Sequence, residues 1–373
     1  MTRFLTRALL GATLMAAAPA MAQDLDRMTP AELYEIAKTE GSVTVFSLSS
    51  RIAQIETSFE AAYPGIDMIG VDLNSTRQIA RLDAEQRAGV FAVDVLYLSE
   101  APLVLRDLLP AGMVEGYIPP RVVDQVPEEF RRDLITHRLS TRALMYNEAA
   151  HPDGSPITNL WQLTTPEWRG KVLMEDPAAR GEVLDLLTEI ALHPDEMAAA
   201  YEAQFGEPIE VDGIFEGAGE QFIADLFNND LVLVNDSTTL RAAIGDKNAT
   251  DPSVGFTTYS AARDNEAEGW ALQISNETVP SAGLLFPAVL AVAKNAPHPA
   301  AARLVIDYMM GDDTPSGGPG FEPFHVQGDY AARRSIADHP DAVPLEELNL
   351  WRMDPAATGA ARARILDLVI MLQ

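Results

Sequence analysis

Short runs of β-forming residues alternate with helical stretches along this chain, and polar residues gather where one gives way to the other. Ser42 to Leu48 (Ser-Val-Thr-Val-Phe-Ser-Leu) reads as a strand. Ser49-Ser50-Arg51 leads from it into a helix with Ile52, Ile55, Phe59 and Ala62 on one face. Ile66 to Asp72 is a second strand, and Asn74-Ser75-Thr76 caps a helix from Arg77 to Ala88. Ala92 to Leu98 is a third strand and ends at Ser99-Glu100. Further strands are expected at Ser140 to Tyr146, Val172 to Met174, Leu231 to Val234 and Ala288 to Val292, with helices at Glu182 to Leu192, Glu220 to Phe227 and Pro299 to Met310. Gly311 to Gly320, dense in glycine and proline, reads as a loop. Such alternation implies βα units and a parallel sheet covered on both faces.

The chain begins with the marks of a secretory leader. Arg3 and Arg7 precede the apolar run Ala8 to Ala18, and Ala20-Met21-Ala22 closes the segment. The apolar part is shorter than the roughly 20 residues a membrane anchor needs. No cysteine is present, so there is no lipid attachment point, disulfide, thiolate nucleophile or cysteine metal site. The expected product is a soluble periplasmic protein starting near Gln23. Loss of the leader removes two arginines and no acids, taking the formal charge from −28 to −30. A chain this acidic repels nucleic acid and anionic lipid as partners. About 350 mature residues predict two lobes.

Searches for a catalytic set fail. The sequence holds no H-E-x-x-H, no G-x-S-x-G, no P-loop and no S-x-x-K set. Four of the six histidines (His151, His193, His298 and His339) precede proline and read as turn residues. Glu216-Gly217-Ala218-Gly219-Glu220 follows no obvious strand, and Asp246 to Asp251 lacks the glycine and terminal glutamate of a calcium loop. What remains is the set of polar clusters at strand ends. They are Ser47, Ser49, Ser50 and Arg51; Asn74, Ser75, Thr76 and Arg77; Ser99 and Glu100; Arg180 and Gly181; Asn235, Asp236, Ser237 and Thr238. Each alone is ordinary helix capping. Five in like positions point to a polar ligand cleft at the carboxyl ends of the strands, where helix N-termini suit an anion.

The order of segments resembles the periplasmic solute-binding proteins of ABC importers, in particular the branch of the ferric-binding proteins. The resemblance is carried by Leu33-Tyr34-Glu35 to Val43-Thr44-Val45-Phe46-Ser47, by Phe59-Glu60-Ala61-Ala62-Tyr63-Pro64-Gly65-Ile66, and by Ala92 to Tyr97. It continues through Ala143-Leu144-Met145-Tyr146-Asn147, Trp168-Arg169-Gly170-Lys171-Val172 with Asp176-Pro177, and Pro297 to Ala302 before a helix ending Ile306-Asp307-Tyr308-Met309-Met310. It implies an α/β fold of type II. Two lobes, each a mixed sheet flanked by helices, would be joined by strands crossing near Thr136 to Thr141 and Gly283 to Pro287. Residues 23–138 with 286–312 would form one lobe, and 139–285 with 313–373 the other. It further implies a monomer without catalytic role or cofactor that closes on a small solute and presents it to an inner-membrane ABC permease.

The ligand residues depart from that branch. Ferric-binding proteins place adjacent tyrosines where Ser237 and Thr238 stand, and some place a histidine near Ser50; only Glu100 resembles a retained ligand. Hydroxyls and arginines suit an organic anion (a sugar phosphate, phosphonate or carboxylate) better than a trivalent metal. The expected site sets Ser49, Ser50, Ser75 and Thr76 of the first lobe against Arg180, Asp236, Ser237 and Thr238 of the second, with Glu100 and Tyr259 as further candidates. A ferric-binding role, a secreted two-lobe enzyme and a sensor-associated binding protein are the alternatives.

Overall fold

A computed structural model describes residues 24–373; the leader, residues 1–22, lies outside the described residues. The first helix, α1 (Pro30–Glu40), shows how local sequence sets an element. Thr29 accepts from the Glu32 N–H, Glu32 reaches back to the Thr29 N–H, Pro30 occupies the first turn, and Gly41 ends the helix at φ 79°. The strands are β1 (Ser42–Ser47), β2 (Asp67–Asp72), β3 (Val95–Leu98), β4 (Val114–Glu115), β5 (Ile135–Asn147) and β6 (Val172–Glu175). They continue as β7 (Val232–Val234), β8 (Val254–Thr257), β9 (Leu272–Ile274), β10 (Gly283–Ala293), β11 (Asp329–Ala331) and β12 (Trp351–Arg352). The helices that matter below are α2 (Ile52–Ala62), α3 (Ser75–Arg87), α4 (Gly181–Leu192), α5 (Pro194–Phe205), α6 (Ala218–Asn228), α7 (Ser237–Gly245), α8 (Pro299–Met309) and α9 (Pro355–Leu372).

The main sheet path runs β2-β1-β3-β10-β5-β8-β6-β7. Strands β2, β1 and β3 are parallel, as are β8, β6 and β7. Between these two parallel sets lie β10 and β5, which pair antiparallel from Gly283↔Ala143 to Leu290↔Ile135. The far half of β10 joins β3, and the far half of β5 joins β8. The two strands therefore serve both lobes and cross between them. Both run on from the stretches that residue pattern alone marks as strand, Ser140 to Tyr146 and Ala288 to Val292, into the segments near Thr136 to Thr141 and Gly283 to Pro287 where the resemblance implied crossing strands.

Two large cores dominate this layout. One packs Val43, Val45, Tyr97 and Leu290 against Leu33, Phe59 and Leu304, and also takes in Phe321 and Phe324. The other packs Leu144, Met174 and Phe256 against Trp161, Leu187, Phe222 and Ile365. Gly311 to Gly320 is largely loop as expected, ending in a helical turn, Gly318–Phe321. No helix among the described residues is long and apolar enough to cross a membrane.

His137, on the crossing strand β5, is fully buried. Its Nε2 lies 2.9 Å from the Met309 carbonyl, which can only accept, so Nε2 carries the proton and Nδ1 accepts from the Tyr97 hydroxyl at 2.7 Å. Burial, with Arg138 alongside, drives its pKa from 6.5 down to about 3. As pH falls below 6.5 the unfolded chain takes up a proton that native His137 refuses, so this group removes stability on acidification. The slope is at most about 1.4 kcal/mol per pH unit. Urea titrations at pH 7 and pH 5 should show a smaller acid-induced loss for His137→Gln than for the unaltered protein; equal losses would refute the assignment.

Candidate functional site

The carboxyl ends of the parallel strands converge between the lobes on a polar cavity of about 310 Å³. From the first lobe, Ser49, Ser50 and Arg51 follow β1, Asn74 and Ser75 follow β2, and Ser99 follows β3. From the second, Arg180 and Glu182 stand at the start of α4, Ser237, Thr238 and Arg241 lie on α7, and Thr258, Ser260 and Arg263 follow β8. The N-termini of α2, α3, α4 and α7 all begin here. Each presents backbone N–H groups and a partial positive charge. The crossing strand β5 closes the back with Arg138, Ser140 and Arg142, whose period of two puts all three on one face. Phe286 of β10 and Leu48 supply the apolar part of the wall.

Six arginines line this cavity, and their partners sort them. Asp329 on β11 takes Arg51 Nη2 at 2.7 Å on Oδ2, and on Oδ1 takes Arg138 at 2.5 Å and the Ser140 hydroxyl at 2.8 Å. Burial alone would raise the Asp329 pKa, but the two guanidiniums hold it below the usual carboxylate range. Glu175, at the end of β6, bonds Arg142 at 2.9 Å, pairs with Arg180 at 3.0 Å and accepts from Ser237 at 2.7 Å. Arg142 also reaches Glu182 at 2.8 Å. Arg263 lies 3.2 Å from Asp264 and donates to the Ser260 carbonyl.

Arg241 differs. It has no carboxylate within ion-pair distance among the described residues, and its buried Nε finds no acceptor there. Burial, reinforced by Arg263 and Arg142, pushes its pKa down to about 10. It remains charged at neutral pH and faces a cavity whose other cations are largely neutralised by the protein itself.

Of the residues expected from sequence, Ser49, Ser50, Ser75, Arg180, Ser237 and Thr238 lie on this cavity. Ser75 is fixed by Ser99, whose N–H donates to its hydroxyl at 2.9 Å. Ser50 and Thr238 stand exposed on the wall. The other four lie outside the lining. Thr76 donates to Glu100 at 2.5 Å, and Glu100 is fully buried between the lobes. Asp236 points outward as the cap of α7, accepting from the Thr239 N–H at 2.8 Å. Tyr259 is packed in the core, with its hydroxyl accepting from the Val343 N–H. Arg138, Ser140, Arg142, Arg241 and Arg263 were not anticipated. Two signals could have found most of them. Arg138, Ser140 and Arg142 alternate along a stretch already assigned to a lobe crossing. Arg241 lies four residues after Ser237, on the same helix face.

Chemically, the lining offers guanidiniums, hydroxyls and helix N-termini, with Glu182 and Asp72 as acceptors. It contains no tyrosine and no histidine. No group of three or more His, Cys, Asp or Glu side chains is placed to hold a metal among the described residues. A second recess, of about 610 Å³, lies behind the crossing strands, lined by Leu105, Leu139, Leu285 and Met353; it touches none of the strand-end clusters.

Comparison with solved structures places the architecture. The chain aligns with the periplasmic binding protein P5PA at TM-score 0.68 and 15% identity, covering 89% of this chain and 99% of that one. Iron-bound HitA from Pseudomonas aeruginosa aligns at TM-score 0.68 and 18% identity over 89% and 99%. AfuA from Actinobacillus pleuropneumoniae, solved with exogenous fructose-6-phosphate bound, aligns at 0.66 and 16% over 87% and 96%. The fold is therefore that of the two-lobe type II periplasmic binding proteins of the ferric-binding-protein-like kind, as the sequence resemblance implied. No protein-family model matches the chain, and no curated protein matches it.

The sorting of arginines gives a stability contrast. Asp329→Asn leaves Arg51 and Arg138 buried beside each other and should cost about 3–5 kcal/mol. Arg241→Gln removes a cation the fold does not compensate, and should leave stability unchanged or raise it by about 1 kcal/mol. Urea midpoints read both; a loss with Arg241→Gln as large as with Asp329→Asn would make Arg241 part of the scaffold.

Proposed function

We propose that this chain is the periplasmic solute-binding component of an ABC importer and captures a small organic anion between its lobes. The observation that carries the reading is Arg241, a charged guanidinium with no carboxylate partner among the described residues, on a cavity walled by hydroxyls and four helix N-termini. Two further points support it. The cavity volume falls at the lower end of the range for small-molecule sites. A partially buried cation beside other cations gains most from an anion that brings its own charge and several acceptor oxygens, as a phosphate, phosphonate or carboxylate does. Glu182 and Asp72 would accept from hydroxyls on the rest of the solute, which favours a sugar phosphate within that class. The structural relatives include a protein solved with fructose-6-phosphate and one solved with iron. The lining favours the first kind of cargo. Trivalent iron calls for anionic oxygen donors, whereas this wall carries six arginines and no phenol.

The rest of the reading follows from the same assignment. The leader would deliver a soluble monomer to the periplasm, hinge closure would bury the solute, and the closed form would dock on an inner-membrane permease. Neither nucleic acid nor lipid is a partner, and no chemistry is performed on the cargo.

A thermal-shift screen of the mature protein, unfolded and refolded to strip any carried ligand, tests this. The panel is sugar phosphates, phosphonates, carboxylates, polyamines and ferric citrate. An organic anion at 100-fold above its Kd should add about 2.7 kcal/mol of stability, and Arg241→Gln should abolish the shift. Stabilisation by ferric iron alone, with a tyrosinate absorption band, would overturn the reading.

A further inference from the structure

Beside the solute cavity, the lobes touch through a contact that does not line it. Glu100, at the end of β3 in the first lobe, is fully buried. Thr76 donates to its Oε1 at 2.5 Å from the same lobe. Its Oε2 accepts from Arg362 Nη2, on α9 of the second lobe, at 3.0 Å. The Arg362 Nε lies 3.0 Å from Asp185 of α4, also in the second lobe, but is not aligned for a hydrogen bond. Burial keeps the Asp185 pKa well above the usual carboxylate range, against the pull of Arg362. Arg362 therefore has a carboxylate of its own lobe beside it but donates its hydrogen bond to Glu100 of the other. The cation of one lobe thus depends on the anion of the other.

The backbone is shaped to permit this approach. Gly181 opens α4 directly against Glu100, where a Cβ would overlap the Glu100 carboxyl carbon and crowd Arg362 Nη2. No positive φ is recorded at Gly181, so the backbone would take an L side chain, and its Cβ would have to push the Glu100 carboxyl and the Arg362 guanidinium out of their places. Close by, Arg106 of the first lobe donates to the Gly359 carbonyl of α9 at 2.7 Å, and Gly359 packs over Pro102.

We infer that Glu100, Arg362 and Gly181 form an interlobe latch that holds the two lobes together whether or not a solute occupies the cleft, and so sets cleft affinity from outside it. The inference rests on the reading that the cleft opens and closes. A buried ion pair alone gains little over two solvated charges, so the latch holds the lobes together with the Arg106–Gly359 contact beside it. Removing one partner is different, because closure would then bury an uncompensated charge. The closed state thus requires both partners and an unobstructed Gly181. Every solute pays the same closing free energy, and a weakened latch lowers the apparent affinity for all of them alike.

The absence of cysteine makes the test clean. Spin labels on Gln54→Cys and Ala243→Cys, both exposed and on opposite lobes, report the interlobe distance in the solute-free protein by double electron–electron resonance. The unaltered latch should give a mainly closed distribution. Arg362→Gln and Gly181→Ala should each reduce the closed-to-open ratio at least tenfold. Arg364→Gln should not, because Arg364 on the same helix pairs with Glu216 and Glu220 of its own lobe. Gly181→Ala changes no charge and suits a helix start, so it decides the matter should Arg362→Gln fail to fold. An open distribution with the latch intact, or an unchanged one in Gly181→Ala, would overturn the inference. The measurement uses no solute, so its failure leaves the anion-binding reading standing, and a failed anion screen leaves the latch standing.

Discussion

One carboxylate, Asp329, is what allows the cleft to carry so much positive charge. Arg51 comes from the start of α2, and Arg138 from the strand that joins the lobes; without an anion between them the two guanidiniums could not share a dry wall. Asp329 bonds both, takes the Ser140 hydroxyl as well, and lies on β11, which pairs with β5 at Ser140. The strand holding the anion is thereby registered on the strand holding one of its cations. Glu175 repeats the arrangement in the second lobe for Arg142 and Arg180. Four arginines are fixed in place by buried acids and shape the wall. Arg241, unmatched, is left with its charge to offer.

This division explains how far the sequence could be read. Local signals gave local structure. Thr29-Pro30 starts α1 and Gly41 ends it; the β-rich run from Ser42 ends within one residue of the expected position; the hydroxyl and amide clusters mark the starts of α2, α3 and α7. These features are set by neighbours a few residues away. The first half of β5 follows from the resemblance and not from residue pattern, because Ile135-Thr136-His137-Arg138 reads as polar and unlike a core strand. Its polarity is paid for by Met309, Tyr97 and Asp329, distant in sequence, and no window along the chain reveals that. The start of β10 likewise comes from the resemblance, since Pro287 argues by itself against a strand at the centre of a sheet. Glu100 was legible as a polar strand-end residue, but its partner Arg362 sits 262 positions further on, so its place between the lobes was not.

Charge acts on two scales here. The chain carries a formal −28, and its far field opposes the approach of an anion. That field is screened beyond roughly 8–10 Å at physiological ionic strength. Inside the cleft, short distances and restricted solvent make the arginines and helix ends dominate. Such a protein would gain affinity from close contacts and not from electrostatic steering. Its selectivity would then come from where the acceptor oxygens of the solute fall relative to Arg241 and the hydroxyls.

The first turn of α4 joins the two devices. Arg180 and Glu182 face the solute cavity, with Glu182 bonded to Arg142 on the crossing strand. Gly181, between them, meets Glu100, and Asp185, one turn on, lies against Arg362. A rigid helical turn therefore carries cavity contacts on one side and the interlobe contact on the other. In the closing motion proposed above, α4 and the α9 packed on it would move together, so that Arg180 would reach the cavity as Arg362 reached Glu100. Solute contact and lobe contact would then be parts of a single closing step, because Gly181 sits between two cavity residues and against Glu100.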